Sequence, residues 1–138
     1  MKVYIAVDME GGAGVATWRQ VEPQDPAYAL AREWMIEEAN AAIEGALEAG
    51  ATEILVNDAH DGMRNLPLDR IRPPARLVTG GLKPLGMMAG IDASFDAAFF
   101  VGYHTRGGSY GVLAHTWSSL VTSVRLNGQE TGEWGSTP

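Results

Sequence analysis

The chain opens on a near-continuous apolar row, Val3-Tyr4-Ile5-Ala6-Val7, which ends abruptly in Asp8-Met9-Glu10 and the glycine-rich turn Gly11-Gly12-Ala13-Gly14. Unbroken strand-forming residues of this kind suit a strand covered on both faces inside a parallel sheet. Thr17 to Gln24 has no convincing period and reads as a surface connection, with Trp18 as a packing residue. Asp25-Pro26 then has the look of an N-cap followed by proline at the first helical position, and Gly50 sits where a helix-ending glycine belongs. The spacing between them predicts a helix running to about Ala49. Its inner face is Tyr28, Ala31, Met35, Ala39, Ala42 and Ala46, with Glu33, Glu37, Asn40, Glu44 and Glu48 on the outer side. A second strand, Glu53 to Asn57, follows within a few residues, which makes the unit a right-handed parallel βαβ.

Beyond it, Arg76 to Thr79 predicts a short strand, Pro84 to Gly90 a short helix, and Asp96 to Tyr103 a stronger strand that delivers His104 at its end. Tyr110 to His115 reads as loop. Ser119 to Leu126 alternates like a strand, and Asn127-Gly128 is a hairpin signal, with a returning strand expected to carry Glu130 and Glu133. The fold class predicted is α/β: a Rossmann-like βαβ core, a mostly parallel sheet and a C-terminal hairpin, in one catalytic-type domain over residues 1–138.

Composition narrows the partners. The 138 residues are 46% hydrophobic and 20% charged, ordinary for a globular chain, and the net charge of -7 has the wrong sign for a phosphate-backbone binder. Arg64, Arg70, Arg72, Arg76 and Lys83 read as loop charge or as cover for acidic neighbours, so no nucleic acid is expected. With no cysteine, disulfides, thiolate ligands and a thiol nucleophile are excluded. No run approaches membrane-spanning length and Met1 to Val7 is too short for a signal-peptide core, so neither a membrane partner nor a leader is expected, and the default compartment is the cytoplasm.

Charge pattern and topology together suggest a cation site. Asp8 and Glu10 follow the first strand at the carboxyl edge, where ligands bind in open α/β sheets. Asp58 and His60 follow the second strand, and all three histidines, His60, His104 and His115, fall at or near strand ends rather than on the helix. Imidazole nitrogens beside the carboxylates of Asp8, Glu10 and Glu133 suit zinc above manganese or iron. Three carboxylates crowded together balance two divalent ions and a bridging hydroxide, and a two-metal centre is common machinery for amide or phosphate hydrolysis.

The runs Asp8-Met9-Glu10-Gly11 with Gly14, Val56-Asn57-Asp58-Ala59-His60, Gly102-Tyr103-His104, Gly111-Val112-Leu113-Ala114-His115 and Gly132-Glu133 occur in an order that resembles the zinc D-aminopeptidases of the DppA type, a self-compartmentalising metallopeptidase family. The resemblance covers almost the whole chain. It implies two zinc ions per subunit held by Asp8, Glu10, His60, His104 and Glu133, with Asp8 bridging. The position of His115 is described in that family as the nucleophile. For an unactivated amide, attack by metal-activated water with His115 as acid, base or oxyanion donor is the better chemistry. Thr116 and Trp117 beside it are either pocket lining or ordinary loop packing. The resemblance further implies hydrolysis of the bond after an N-terminal D-residue, small D-alanyl peptides as substrates, and a ring-shaped homo-oligomer, commonly a decamer. Family members continue after the Gly-Glu motif into a further α/β half, so these residues are expected to be the N-terminal half of the fold.

Three other functions fit parts of the pattern. A two-metal phosphoesterase would use the same ligands, and a metal-binding fragment without activity would keep them without turnover. A nucleotide-binding module fits Gly12-Ala13-Gly14 only weakly, because Asp8 and Glu10 would repel a pyrophosphate and the helix starts too late to receive it.

Overall fold

The computed structural model describes residues 1–133, so the last residues of the expected 1–138 domain lie outside the described part. Strand β1 (Lys2–Val7), helix α1 (Tyr28–Glu48), and strands β2 (Glu53–Asp58), β3 (Arg76–Val78) and β4 (Ala97–Val101) form the α/β core. The four strands are parallel and ordered β3-β2-β1-β4. A separate antiparallel hairpin, β5 (Val124–Leu126) and β6 (Gln129–Thr131), follows.

The apolar row at the amino terminus occupies an inner strand and is covered on both faces, as its composition predicts. Val3, Ile5 and Val7 pack with Ala31, Met35, Ile36, Ala39, Ile43 and Ala46 of α1. Tyr4 and Ala6, pointing the other way by strand alternation, pack with Met88, Leu55, Phe95 and Phe100. The helix stripe differs from the expected one in including Ile36 and Ile43, while Tyr28 and Ala42 are only partly buried. Because the helix is rich in alanine, several stripes are nearly equally small, and the bulkier isoleucines decide which faces the sheet.

The helix begins at Tyr28, not at Pro26. Asp25 does act as a cap-like acceptor, its Oδ1 taking the Ala27 N–H at 2.9 Å, but this closes a turn before regular helical bonding begins. At the other end Gly50, at φ +88°, allows its own N–H to reach Leu47 O and that of Ala51 to reach Ala46 O, both at 2.9 Å. This pair of bonds is the Schellman arrangement that a helix-ending glycine permits. On the outer face Arg70 and Arg72 pair with Glu33 and Glu44, so these two cations do cover acidic neighbours.

Other departures are local. Strand β2 extends one residue to Asp58, β3 stops at Val78, and β4 covers only Ala97–Val101. The expected helix over 84–90 is a single 3-10 turn, Gly86–Met88. Only Val124–Leu126 of the alternating stretch pairs as strand, and β6 carries Glu130 but ends before Glu133. The hairpin turn itself is as predicted, with Asn127 and Gly128 at φ 51° and 82°.

One close approach fixes the geometry above the sheet. A Cβ on Gly11 would stand 2.0 Å from Tyr103 O, and one on Gly102 would stand 2.1 Å from Asp8 O. The segments leaving β1 and β4 therefore cross with room for glycine alone. That crossing brings Asp8 and Glu10 against His104. Among the described residues, no helix is long and apolar enough to cross a membrane.

Candidate metal centre

Asp8 and Glu10 leave the end of β1, His60 lies two residues past β2, His104 three past β4, His115 in the loop that follows, and Glu133 two past β6. Separate elements thus deliver all six candidate side chains to one place above the carboxyl edge. Asp8, Glu10, His60 and Glu133 are between 3% and 6% exposed, and the His104 side chain is 2% exposed. Asp8, Glu10, His60, His115 and Glu133 line a cleft of about 950 Å³, whose walls include Trp18, Met63, Met88 and Trp117.

The contacts fall into two halves that share Asp8. In one, His60 Nδ1 lies 3.3 Å from Asp8 Oδ1 and 3.0 Å from Glu10 Oε2. In the other, His104 Nε2 lies 3.5 Å from Asp8 Oδ2 and 3.3 Å from Glu133 Oε2. The two oxygens of one carboxylate thus face different histidines. The Trp117 N–H donates to Glu133 Oε1, which orients that carboxylate.

Each histidine also makes a contact with a backbone carbonyl through its other nitrogen: His60 Nε2 with Val21 O at 2.8 Å, His104 Nδ1 with Thr105 O at 3.1 Å, and His115 Nδ1 with Leu113 O at 2.8 Å. Donation to those carbonyls assigns the tautomer and leaves the opposite nitrogen facing the carboxylates, the arrangement that orients metal-ligating imidazoles. The backbone carbonyls are the part of the site that has no signature in the sequence. Leu113 reaches its position through a left-handed backbone, φ 48°, unusual for leucine.

The residues fit a soft-to-borderline divalent cation such as zinc. His104 Nε2 is buried without a hydrogen-bond partner among the described residues, in a set of nitrogens and carboxylate oxygens. Asp8, Glu10 and His104 bring ligand atoms within 4.8 Å of one another, and so do His104, His115 and Glu133. A cation at either place would satisfy a polar atom that the protein alone leaves unsatisfied.

Without a cation the cluster holds protons instead. Burial pushes the Asp8 carboxyl up and outweighs the opposing hydrogen bond with His60. Burial also opposes ionisation of Glu10, but contact with His60 reverses the outcome and holds this carboxyl below the usual range. Burial alone would lower His60, yet its bonds to Asp8 and Glu10 raise it to about 10. His104 is raised to about 9, burial being outweighed by Glu133.

Two residues behave differently from expectation. Asp58 does not join the cluster; its carboxylate accepts from Asn65 N at 2.5 Å, Leu66 N at 2.8 Å and Asn65 Nδ2 at 2.7 Å. Asn65 Nδ2 also donates to His60 O, so Asp58 shapes the loop that presents His60. Lys83 is not free loop charge: its Nζ donates to Asn57 Oδ1 at 2.8 Å and Asp58 O at 2.6 Å, tying down the end of β2. Thr116 is buried and its Oγ1 accepts from Gly107 N, whereas Trp117 lines the cleft.

Comparisons with known proteins place the chain in a family. The chain is 40% identical over 135 residues to a D-aminopeptidase of Bacillus subtilis strain 168, covering 98% of this chain and 49% of that protein. A solved structure, the zinc-dependent D-aminopeptidase DppA from Bacillus subtilis, described as a self-compartmentalizing protease, superposes with a TM-score of 0.95 at 40% identity, again over 98% of this chain and 49% of the other. The chain thus spans about half the length of the relatives it matches. The family model of peptidase M55, D-aminopeptidase, matches residues 1–137, and the chain belongs to that family.

Proposed function

We propose that the protein is a dizinc D-aminopeptidase that hydrolyses the peptide bond after an N-terminal D-residue, with D-alanyl peptides as substrates. The observation that carries this reading is the shared Asp8, whose two oxygens face His60 and His104 respectively. Asp8, Glu10 and His60 would hold one ion, and Asp8, His104 and Glu133 the other. Zinc in such a site polarises a carbonyl and lowers the pKa of a coordinated water.

The remaining steps belong to the protein. His115 Nε2 lies 3.9 Å from both Glu10 Oε1 and Glu133 Oε1, beyond hydrogen-bonding distance, while Nδ1 is engaged with Leu113 O. Nε2 is therefore available to take a proton from the attacking water and to pass it to the leaving amine. The cleft is lined by acids, among them Glu22 and Asp61, and by no lysine or arginine among its described lining residues. That balance favours a substrate bearing an ammonium over a phosphoester. The protein is proposed to work in the cytoplasm as a ring-shaped homo-oligomer, commonly a decamer in the family it resembles; the solved relative is described as self-compartmentalizing.

The test is turnover of D-alanyl dipeptides by zinc-loaded protein, beside L-alanyl dipeptides and a phosphomonoester. Preference for either of the last two rejects the reading. Metal uptake carries its own expectation. Between pH 7 and 8 both His60 and His104, raised to about 10 and about 9, carry a proton in the metal-free chain and must shed it before binding zinc. Zinc binding at pH 7 is expected to release at least the two protons of these histidines per chain, with part of another from Asp8, whose carboxyl burial pushes up, and affinity is expected to climb as pH rises. Calorimetry in buffers of different ionisation enthalpy measures the number; a value near zero contradicts the assignment of these two histidines as ligands.

A further inference from the structure

Trp18 is 44% exposed, which is a poor place for a residue whose only task is packing. It stands on the 3-10 turn Trp18–Gln20, at the wall of the cleft, and its ring meets that of His115 edge to face at 5.2 Å and 66°. The segment that carries it is unusually well fastened for a surface loop. Gln20 Oε1 accepts from Ala16 N, Thr17 N and Thr17 Oγ1, while Gln20 Nε2 donates to Gly14 O at 3.0 Å. A single glutamine side chain therefore fixes residues 14–20 against the glycine turn that follows β1. The backbone that carries Trp18 is thereby fastened.

His115 needs such a neighbour. Its ring stacks flat on His104 at 3.9 Å and 5°, and its Nδ1 contacts Leu113 O. The carbonyl contact holds one edge of the ring and the stack holds one face, and Trp18 adds a third contact.

We infer that Trp18 is a positioning residue for His115, holding the imidazole stacked on His104 so that Nε2 stays aimed at the space between Glu10 and Glu133. The inference rests on the proposed role of His115 and adds to it the residue that sets its orientation. Trp18 acts through His115 and does not itself exchange a proton. Edge-to-face aromatic contact is directional, so it fixes the plane of a ring as well as its place.

The test compares zinc-loaded wild type, Trp18→Ala and Trp18→Phe by kinetics on a D-alanyl dipeptide and by crystallography. Trp18→Ala is expected to lower kcat about tenfold, the effect of losing roughly one aromatic contact's worth of orientation, with KM changed little and zinc content unchanged. Trp18→Phe, which keeps an aromatic edge, is expected to recover most of the loss. In the Trp18→Ala crystal the His115 ring is expected to leave its stacked position on His104 or to occupy more than one rotamer. A rise in KM with kcat unchanged would make Trp18 a substrate wall only and overturns the inference. So does a His115 ring that stays in place in Trp18→Ala. If wild-type protein shows no turnover of D-alanyl substrates, the proposed function fails while the crystallographic comparison still decides the role of Trp18.

Discussion

Asp8→Ala is expected to abolish zinc binding at both halves of the site, taking the metal content from about two equivalents per chain to near none, together with all hydrolysis. The expectation follows from the geometry of one side chain, because Oδ1 faces His60 Nδ1 at 3.3 Å and Oδ2 faces His104 Nε2 at 3.5 Å. Removal of any other candidate leaves one half intact; removal of Asp8 takes an oxygen from each. The metal-free fold is expected to survive the change. The change costs stability in two ways: Met9 N–H loses Asp8 Oδ1 at 2.9 Å, worth about 1 kcal/mol, and His60 and His104 lose a buried carboxylate neighbour, although Glu10 and Glu133 remain beside them. Elemental analysis after dialysis against zinc, with circular dichroism to confirm folding, reads the outcome. Retention of both equivalents by a folded variant would refute the bridging role.

Much of this arrangement was legible because the sheet forces it. A row such as Val3 to Val7 has one stable place, inside a parallel sheet, and the short return to Glu53 leaves one handedness for the βαβ unit. Once β1 and β2 are neighbours, Asp8 and His60 must share an edge. Other parts depend on contacts that no local pattern encodes. Glu133 was expected on a strand, yet the three-residue β6 ends at Thr131, and the carboxylate is placed by the Trp117 N–H. Asp58 was placed by topology at the same sheet edge as the candidate ligands. Three hydrogen bonds from Asn65 and Leu66 turn it away, and only the path of the 60–66 loop reveals them. Trp18 looked like packing because a lone tryptophan in an aperiodic stretch carries no sign of what it will face.

The same limit applies to His115, a candidate by its place near a strand end whose catalytic role is implied by the resemblance. His115→Ala is expected to lower kcat by roughly 10² to 10⁴, the range for loss of a positioned acid or base, while both zinc equivalents remain. Retention of metal is the informative half. His115 Nε2 stands 3.9 Å from its nearest carboxylate oxygens, whereas His60 Nδ1 and His104 Nε2 approach theirs to 3.0 and 3.3 Å. The two closer rings thus lie among the carboxylates and the third stands back from them, as a proton carrier does. His104 and His115 nevertheless sit with Glu133 within ligand range of a common point, so the opposite assignment makes its own clear forecast. If His115→Ala loses one zinc, the ring is a ligand and proton transfer must be assigned elsewhere. If it keeps both and KM for a D-alanyl dipeptide is little changed, His115 acts in the transition state and not in holding the substrate. A variant with full metal and undiminished kcat would remove His115 from the mechanism altogether.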